Sequence, residues 1–158
     1  MRPRIGIIGI GNTLLGDDGV GIRVIEELRD RGLPEEIELV DGGTCGVDLF
    51  YLFQRYDVAV VVDAARMGLP PGTIHRVRPE EVTRLADEQA FSVHDLGLWE
   101  AIQLGSVLHT LPPIHIIGVE PEQYNKQHQL SERVSNSVEM VAQLAIEVAE
   151  CELGDVIS

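Results

Sequence analysis

RIGIIGIGNTLLGDDGVG, from Arg4 to Gly21, joins an apolar run to a glycine-punctuated loop that carries two adjacent aspartates, Asp17 and Asp18. The run Arg4–Ile10 is rich in isoleucine and does not alternate with polar residues, so it reads as a strand covered on both faces, as in a parallel sheet. Three further runs share this character: IELVDG at Ile37–Gly42, DVAVVVDA at Asp57–Ala64 and IHIIGVEP at Ile114–Pro121. A fifth, GTIHRVR at Gly72–Arg78, alternates more and follows the turn-forming LPPG, which marks an edge strand. Helical periods fill connections between them: Gly19 to Arg31 sets Val20, Val24, Ile25 and Leu28 on one face, Val47 to Gln54 follows the second strand, and Ser131 to Cys151 carries a continuous apolar stripe. Strand and helix in alternation imply right-handed crossovers. The expected fold is therefore α/β, a three-layer sandwich with a mostly parallel five-stranded sheet and helices on both faces, in a single domain over residues 1–158. In such sheets ligands bind beyond the carboxyl ends of the strands.

A glycine loop after a first strand commonly cradles a phosphate, and Gly9-x-Gly11 with Asp41 after the second strand imitates a dinucleotide fingerprint. Position 14, where the third glycine belongs, is leucine. Asp17 and Asp18 would also face the pyrophosphate; at about 5 Å and an effective dielectric of 20, each like-charge pair costs roughly 3 kcal/mol, enough to cancel the attraction of the helix N-terminus. The loop is suited to a cation, and its glycines bring the backbone close.

Three strand ends offer ligands for one. Asp17 and Asp18 follow the first strand, Asp63 ends the third in VVVDAA, and His94 in FSVHDLGL precedes the next helix. Two carboxylates and an imidazole suit a borderline ion such as nickel or zinc and leave coordination positions open. Each residue also has a plainer reading: either aspartate of the pair as a helix cap, Asp63 as the start of a turn, and His94 as a bystander in the Ser92–Asp95 capping pattern. Cys45, in DGGTCG, has no histidine tied to it by a motif and reads as a small loop cysteine. His75 and His115 fall in expected strands and read as structural; His109 and His128 fall in loops.

Composition narrows the partners. The 158 residues carry a formal charge of -14, which repels nucleic acid and anionic lipid and favours cations or a basic surface. Two cysteines, Cys45 and Cys151, form neither a metal spacing nor a disulfide framework, so the reducing cytoplasm is the expected setting. The start MRPRIGIIGIGN has the charge pattern of a signal peptide, but Gly6 and Gly9 interrupt its apolar run, which leads into Asp17 and Asp18. The uncharged stretch Ala101–Val119 contains two histidines and Pro112-Pro113, so no membrane insertion is expected.

The ordered motifs GIGNTLLGDDGVG, DGGT, VVVDA, HDLGL and GVEP extend along nearly the whole chain. Together they resemble the endopeptidases that mature nickel-iron hydrogenase large subunits. The resemblance implies cleavage of a short C-terminal extension from the large-subunit precursor after nickel insertion. It also implies a metal site at Asp18, Asp63 and His94, with Asp18 at a position that is Glu in some relatives and Asp in others. The nickel would be carried by the substrate, with cadmium or zinc able to substitute. Asp17 is a further candidate for orienting a ligand or accepting a proton, and Cys45 receives no role. A nickel-binding accessory protein of the same architecture, without proteolysis, is the competing reading.

Overall fold

The computed structural model describes residues 2–44, 48–87, 96–126 and 128–157. Five strands, β1 (Ile5–Ile10), β2 (Ile37–Gly43), β3 (Val58–Ala64), β4 (Ile74–Val77) and β5 (Ile114–Val119), form one sheet in the order β2-β1-β3-β5-β4. All pairings are parallel except β4 with β5. The expected architecture is thus present, including the edge position of β4, whose alternating sequence matches a strand half open to solvent.

The two faces of the sheet are buried by different helices. On one, α1 (Val20–Arg29) and α5 (Glu132–Ile157) pack Val24, Leu28, Val141 and Ala145 against Ile5, Ile7, Val60 and Val62. On the other, α2 (Asp48–Phe53), α3 (Val82–Asp87) and α4 (Leu96–Leu108) pack Phe53, Leu85, Leu98 and Ile102 against Ile8, Val61, Ile114 and Ile116. Alternate residues of β1, β3 and β5 therefore serve opposite cores, which is why these strands lack a polar face.

Two boundaries differ from the sequence reading. The last helix runs on from Cys151 to Ile157 because Leu153 still reaches the core of α1 and α5. Pro79–Glu81 and α3, unforeseen in the sequence, form a short helical segment begun by Glu81, whose Oε1 accepts the Arg78 backbone N–H at 3.3 Å and Nε–H at 3.0 Å.

The sheet order reverses between β1 and β3, since β1 leads outward to β2 while β3 lies on its other side. At this switch point α1 presses directly onto the strands. A Cβ on Gly9 would collide with the Gly21 carbonyl oxygen, and one on Gly21 with the carbonyl oxygens of Ile10 and Val62. The glycines of the opening motif therefore set the depth to which α1 settles. Gly21→Ala should drive backbone against backbone and cost about 3 kcal/mol, at the upper end of overpacking. In a chain of this size thermal unfolding should report it as a fall in Tm of roughly 6–12 °C; an unchanged Tm would show that α1 is not seated by this contact.

Candidate active site

The loop after β1 turns back on itself around Gly11, whose φ of 143° and approach to the Asp18 carbonyl oxygen exclude a side chain. It then forms the 3-10 turn Gly16–Gly19, in which both aspartates are fully buried. The N-cap positions of this turn and of α1 are Leu15 and Gly19, and neither makes a side-chain cap hydrogen bond. The two carboxylates instead serve different partners.

Asp17 reaches away into the loop after β5. Its Oδ2 accepts the backbone N–H of Glu122 at 2.8 Å, that of Gln123 at 3.1 Å and the Ser131 hydroxyl at 2.8 Å; its Oδ1 accepts the Ser131 N–H at 2.7 Å. The Asp17 N–H in turn donates to the Gln123 carbonyl at 3.1 Å. Four donors occupy this carboxylate, which ties two strand-end loops together. Asp18 stays within its own loop, where Oδ2 accepts the Asn12 N–H at 3.0 Å.

Asp63 lies at the carboxyl end of β3, fully buried and paired in register with Gly118 of β5. Val61 belongs to the core under α2 and α4 and Val62 to the opposite core, so alternation directs Asp63 toward the α2 and α4 face. The turn bearing Asp18 packs against β3, which brings the Asp18 and Asp63 segments together at the switch point, where open α/β sheets bind ligands. His94 and Cys45 lie outside the described residues; α4 starts two residues beyond His94. Among the described residues, no group of three His, Cys, Asp or Glu side chains is arranged to hold a metal ion.

Two polar residues that hold these loops, Glu120 and Ser131, went unassigned in the sequence. Glu120, in GVEP, is only 6% exposed and accepts the N–H groups of Met67 at 2.6 Å and Gly68 at 3.1 Å, which fixes the loop after β3. Its place directly after an apolar strand, like that of Asp63, was the available signal. Ser131 was read only as a helix start, and its service to Asp17 depends on a contact across 114 residues. Of the histidines read as structural, His115 does join a network, with Arg76 Nη2 2.9 Å from its Nδ1 and Glu152 Oε1 2.7 Å from its Nε2. His75 lies on β4, 3.8 Å from Glu81.

Fold and site define a three-layer α/β protein with buried carboxylates at the switch point of its sheet. The chain belongs to the hydrogenase maturation protease family, whose model matches residues 22–148. It is 37% identical over 145 residues to the hydrogenase expression/formation protein HupD of Thiocapsa roseopersicina, an alignment covering 87% of this chain and 66% of the relative's length. To the hydrogenase 2 maturation protease of Escherichia coli it is 33% identical, covering 86% of this chain and 84% of that protein. Its fold is similar to that of the hydrogenase maturating endopeptidase HybD of E. coli, with a TM-score of 0.82 and 31% identity over 97% of this chain and 93% of the other.

The bonds to Asp17 predict its worth. Removing a carboxylate that satisfies several enclosed donors should cost about 3–5 kcal/mol in Asp17→Ala, a Tm fall of roughly 6–20 °C. Asp17→Asn, which keeps one acceptor oxygen, should lose less. Equal stability of wild type and Asp17→Ala in denaturant titration would remove the tie between the two loops.

Proposed function

We propose that this chain is an endopeptidase that removes the C-terminal extension of a nickel-iron hydrogenase large-subunit precursor after nickel insertion, recognising the substrate-borne nickel through Asp18, Asp63 and His94. The reading is carried by one observation: two fully buried carboxylates at neighbouring strand ends, on the switch point, in a chain of this family. Burying carboxylates is costly unless hydrogen bonds or a cation compensate them, and a divalent ion compensates two at once. Two carboxylates and an imidazole suit nickel, accept zinc or cadmium, and leave positions for a peptide carbonyl. Nickel arrives as part of the substrate and supplies Lewis-acid polarisation of the scissile carbonyl. The chain's own residues hold the precursor at that ion and keep the crevice in register: Asp17 ties the loop after β1 to the loop after β5, and Glu120, directly after β5, holds the loop after β3.

The charge of -14 supports a protein partner and opposes nucleic acid. Among the described residues no helix is long and apolar enough to cross a membrane. With its sparse cysteines, this supports action on the precursor in the cytoplasm.

The test compares nickel-loaded and nickel-free precursor, with products read by mass spectrometry. Wild type should cut only the loaded form. Asp18→Ala, Asp63→Ala and His94→Ala should each slow cutting by more than about a hundredfold, beyond the cost of losing an outer partner of a ligand, with circular dichroism unchanged. Cys45→Ala should keep most activity. Tight capture of loaded precursor without any cleavage would establish the accessory-protein reading instead, and loss of activity in Cys45→Ala together with cutting of nickel-free precursor would point to a thiol peptidase.

A further inference from the structure

Two strands beyond β3, the face that carries Asp63 continues into a cavity that the chemistry above does not use. Asp63 on β3, Gly118 on β5 and His75 on β4 stand in one register row across the sheet. Alternation places all three on the face covered by α2, α3 and α4, since Val61, Ile116 and Val77 belong to that core. At about 4.8 Å between strands, Asp63 and His75 are roughly 10 Å apart along this row. At the far end opens a cavity of about 210 Å³ lined by Met67, Leu69, His75, Glu81, Arg84 and Leu85.

Its size and walls indicate what it takes. Pockets for free small molecules run to about 300–1,000 Å³, whereas this one has room for a single side chain. Its charged groups already face one another: Glu81 meets Arg78 at 3.0 Å, Arg84 at 3.6 Å and His75 at 3.8 Å. The Arg78 backbone and side-chain hydrogen bonds hold the Glu81 carboxyl below the usual carboxylate range, so it stays ionised against its two arginine partners. The surface left to a ligand is the apolar part of Met67, Leu69 and Leu85.

The wall nearest Asp63 is fixed at its backbone and soft at its tip. Glu120 holds the Met67 and Gly68 N–H groups, and the Met67 thioether lies over Gly118, where a Cβ would come within 3.3 Å of Cε and 3.4 Å of Sδ. Glycine at 118 lets the methionine lie close to the sheet between Asp63 and the cavity, and methionine adapts to irregular partners.

We propose that this cavity is a specificity subsite for an aliphatic side chain of the precursor, on the segment flanking the scissile bond. The proposal rests on the endopeptidase reading. An extended chain advances about 3.4 Å per residue, so a side chain about three residues from a bond held near Asp63 reaches the cavity. Leu69, 37% exposed at the rim, and Met67 at the wall set its width.

The experiment scans nickel-loaded precursors in which each of the four residues on either side of the scissile bond is replaced in turn by Ala, Leu, Asp and Trp. Kinetics are measured with wild type, Leu69→Trp and Met67→Ala, and circular dichroism checks folding. With wild type, one position about three residues from the bond should favour Leu over Ala and Asp by about tenfold or more in kcat/KM, mainly through KM. Leu69→Trp, which narrows the mouth, should erase that preference while kcat stays within about twofold; Met67→Ala should admit Trp at that position. Cleavage by wild type with no aliphatic preference at any position, or with a preference unmoved by both variants, overturns the subsite and leaves the endopeptidase reading standing. Failure of wild type to cut any loaded precursor defeats that reading and the subsite with it.

Discussion

Four hydrogen bonds to the carboxylate of Asp17 join the loop after β1 to the loop after β5, and the crevice depends on that join. The first loop carries Asp18; the other lies beyond β5, the strand that flanks Asp63 on the side away from β1. Without the carboxylate, these two loops would keep the single backbone bond from the Asp17 N–H to the Gln123 carbonyl. A charged acceptor suits this task because it satisfies several backbone donors from one point, and bonds to a charged group are stronger than neutral ones. The same bonds offset the cost of burying it.

Adjacent aspartates have thus acquired different duties. The tight turn Gly16–Gly19 sends Asp17 toward the β5 loop and leaves Asp18 with the N–H of Asn12, beside β3. Repulsion between neighbouring carboxylates is relieved when each has its own donors.

Glu120 extends the same logic to the other side. Its oxygens hold Met67 and Gly68, its carbonyl accepts the Gly72 N–H at 2.8 Å, and its own N–H donates to Thr73 at 2.9 Å. Arg66 of the same loop stacks on the Tyr124 ring at 4.4 Å, a second clasp between the segments after β3 and β5. The loop after β5 is therefore the hub to which the segments after β1 and β3 are both fastened.

Local sequence was sufficient for the layers of this fold. Unalternating runs such as DVAVVVDA declare strands buried on both faces, and Val20, Val24, Ile25 and Leu28 declare the face of α1, because strand and helix periods are properties of a few neighbouring residues. Asp18 and Asp63 were legible as candidates for the same reason: a carboxylate at the end of an apolar strand or in a glycine loop is conspicuous within its own ten residues. The duties of Asp17, Glu120 and Ser131 were not, since the hydrogen bonds that Ser131 donates to Asp17 cross 114 residues and the one that Met67 donates to Glu120 crosses 53, and no local period encodes such a partner. The row Asp63, Gly118, His75 is likewise invisible along the chain, because strand order and register arise only when β3, β5 and β4 pair. Sequence alone determined which residues had to be buried and which carboxylates stood at strand ends; the tertiary structure decided which of them fasten neighbouring loops, because that choice rests on contacts between segments the chain brings together only on folding.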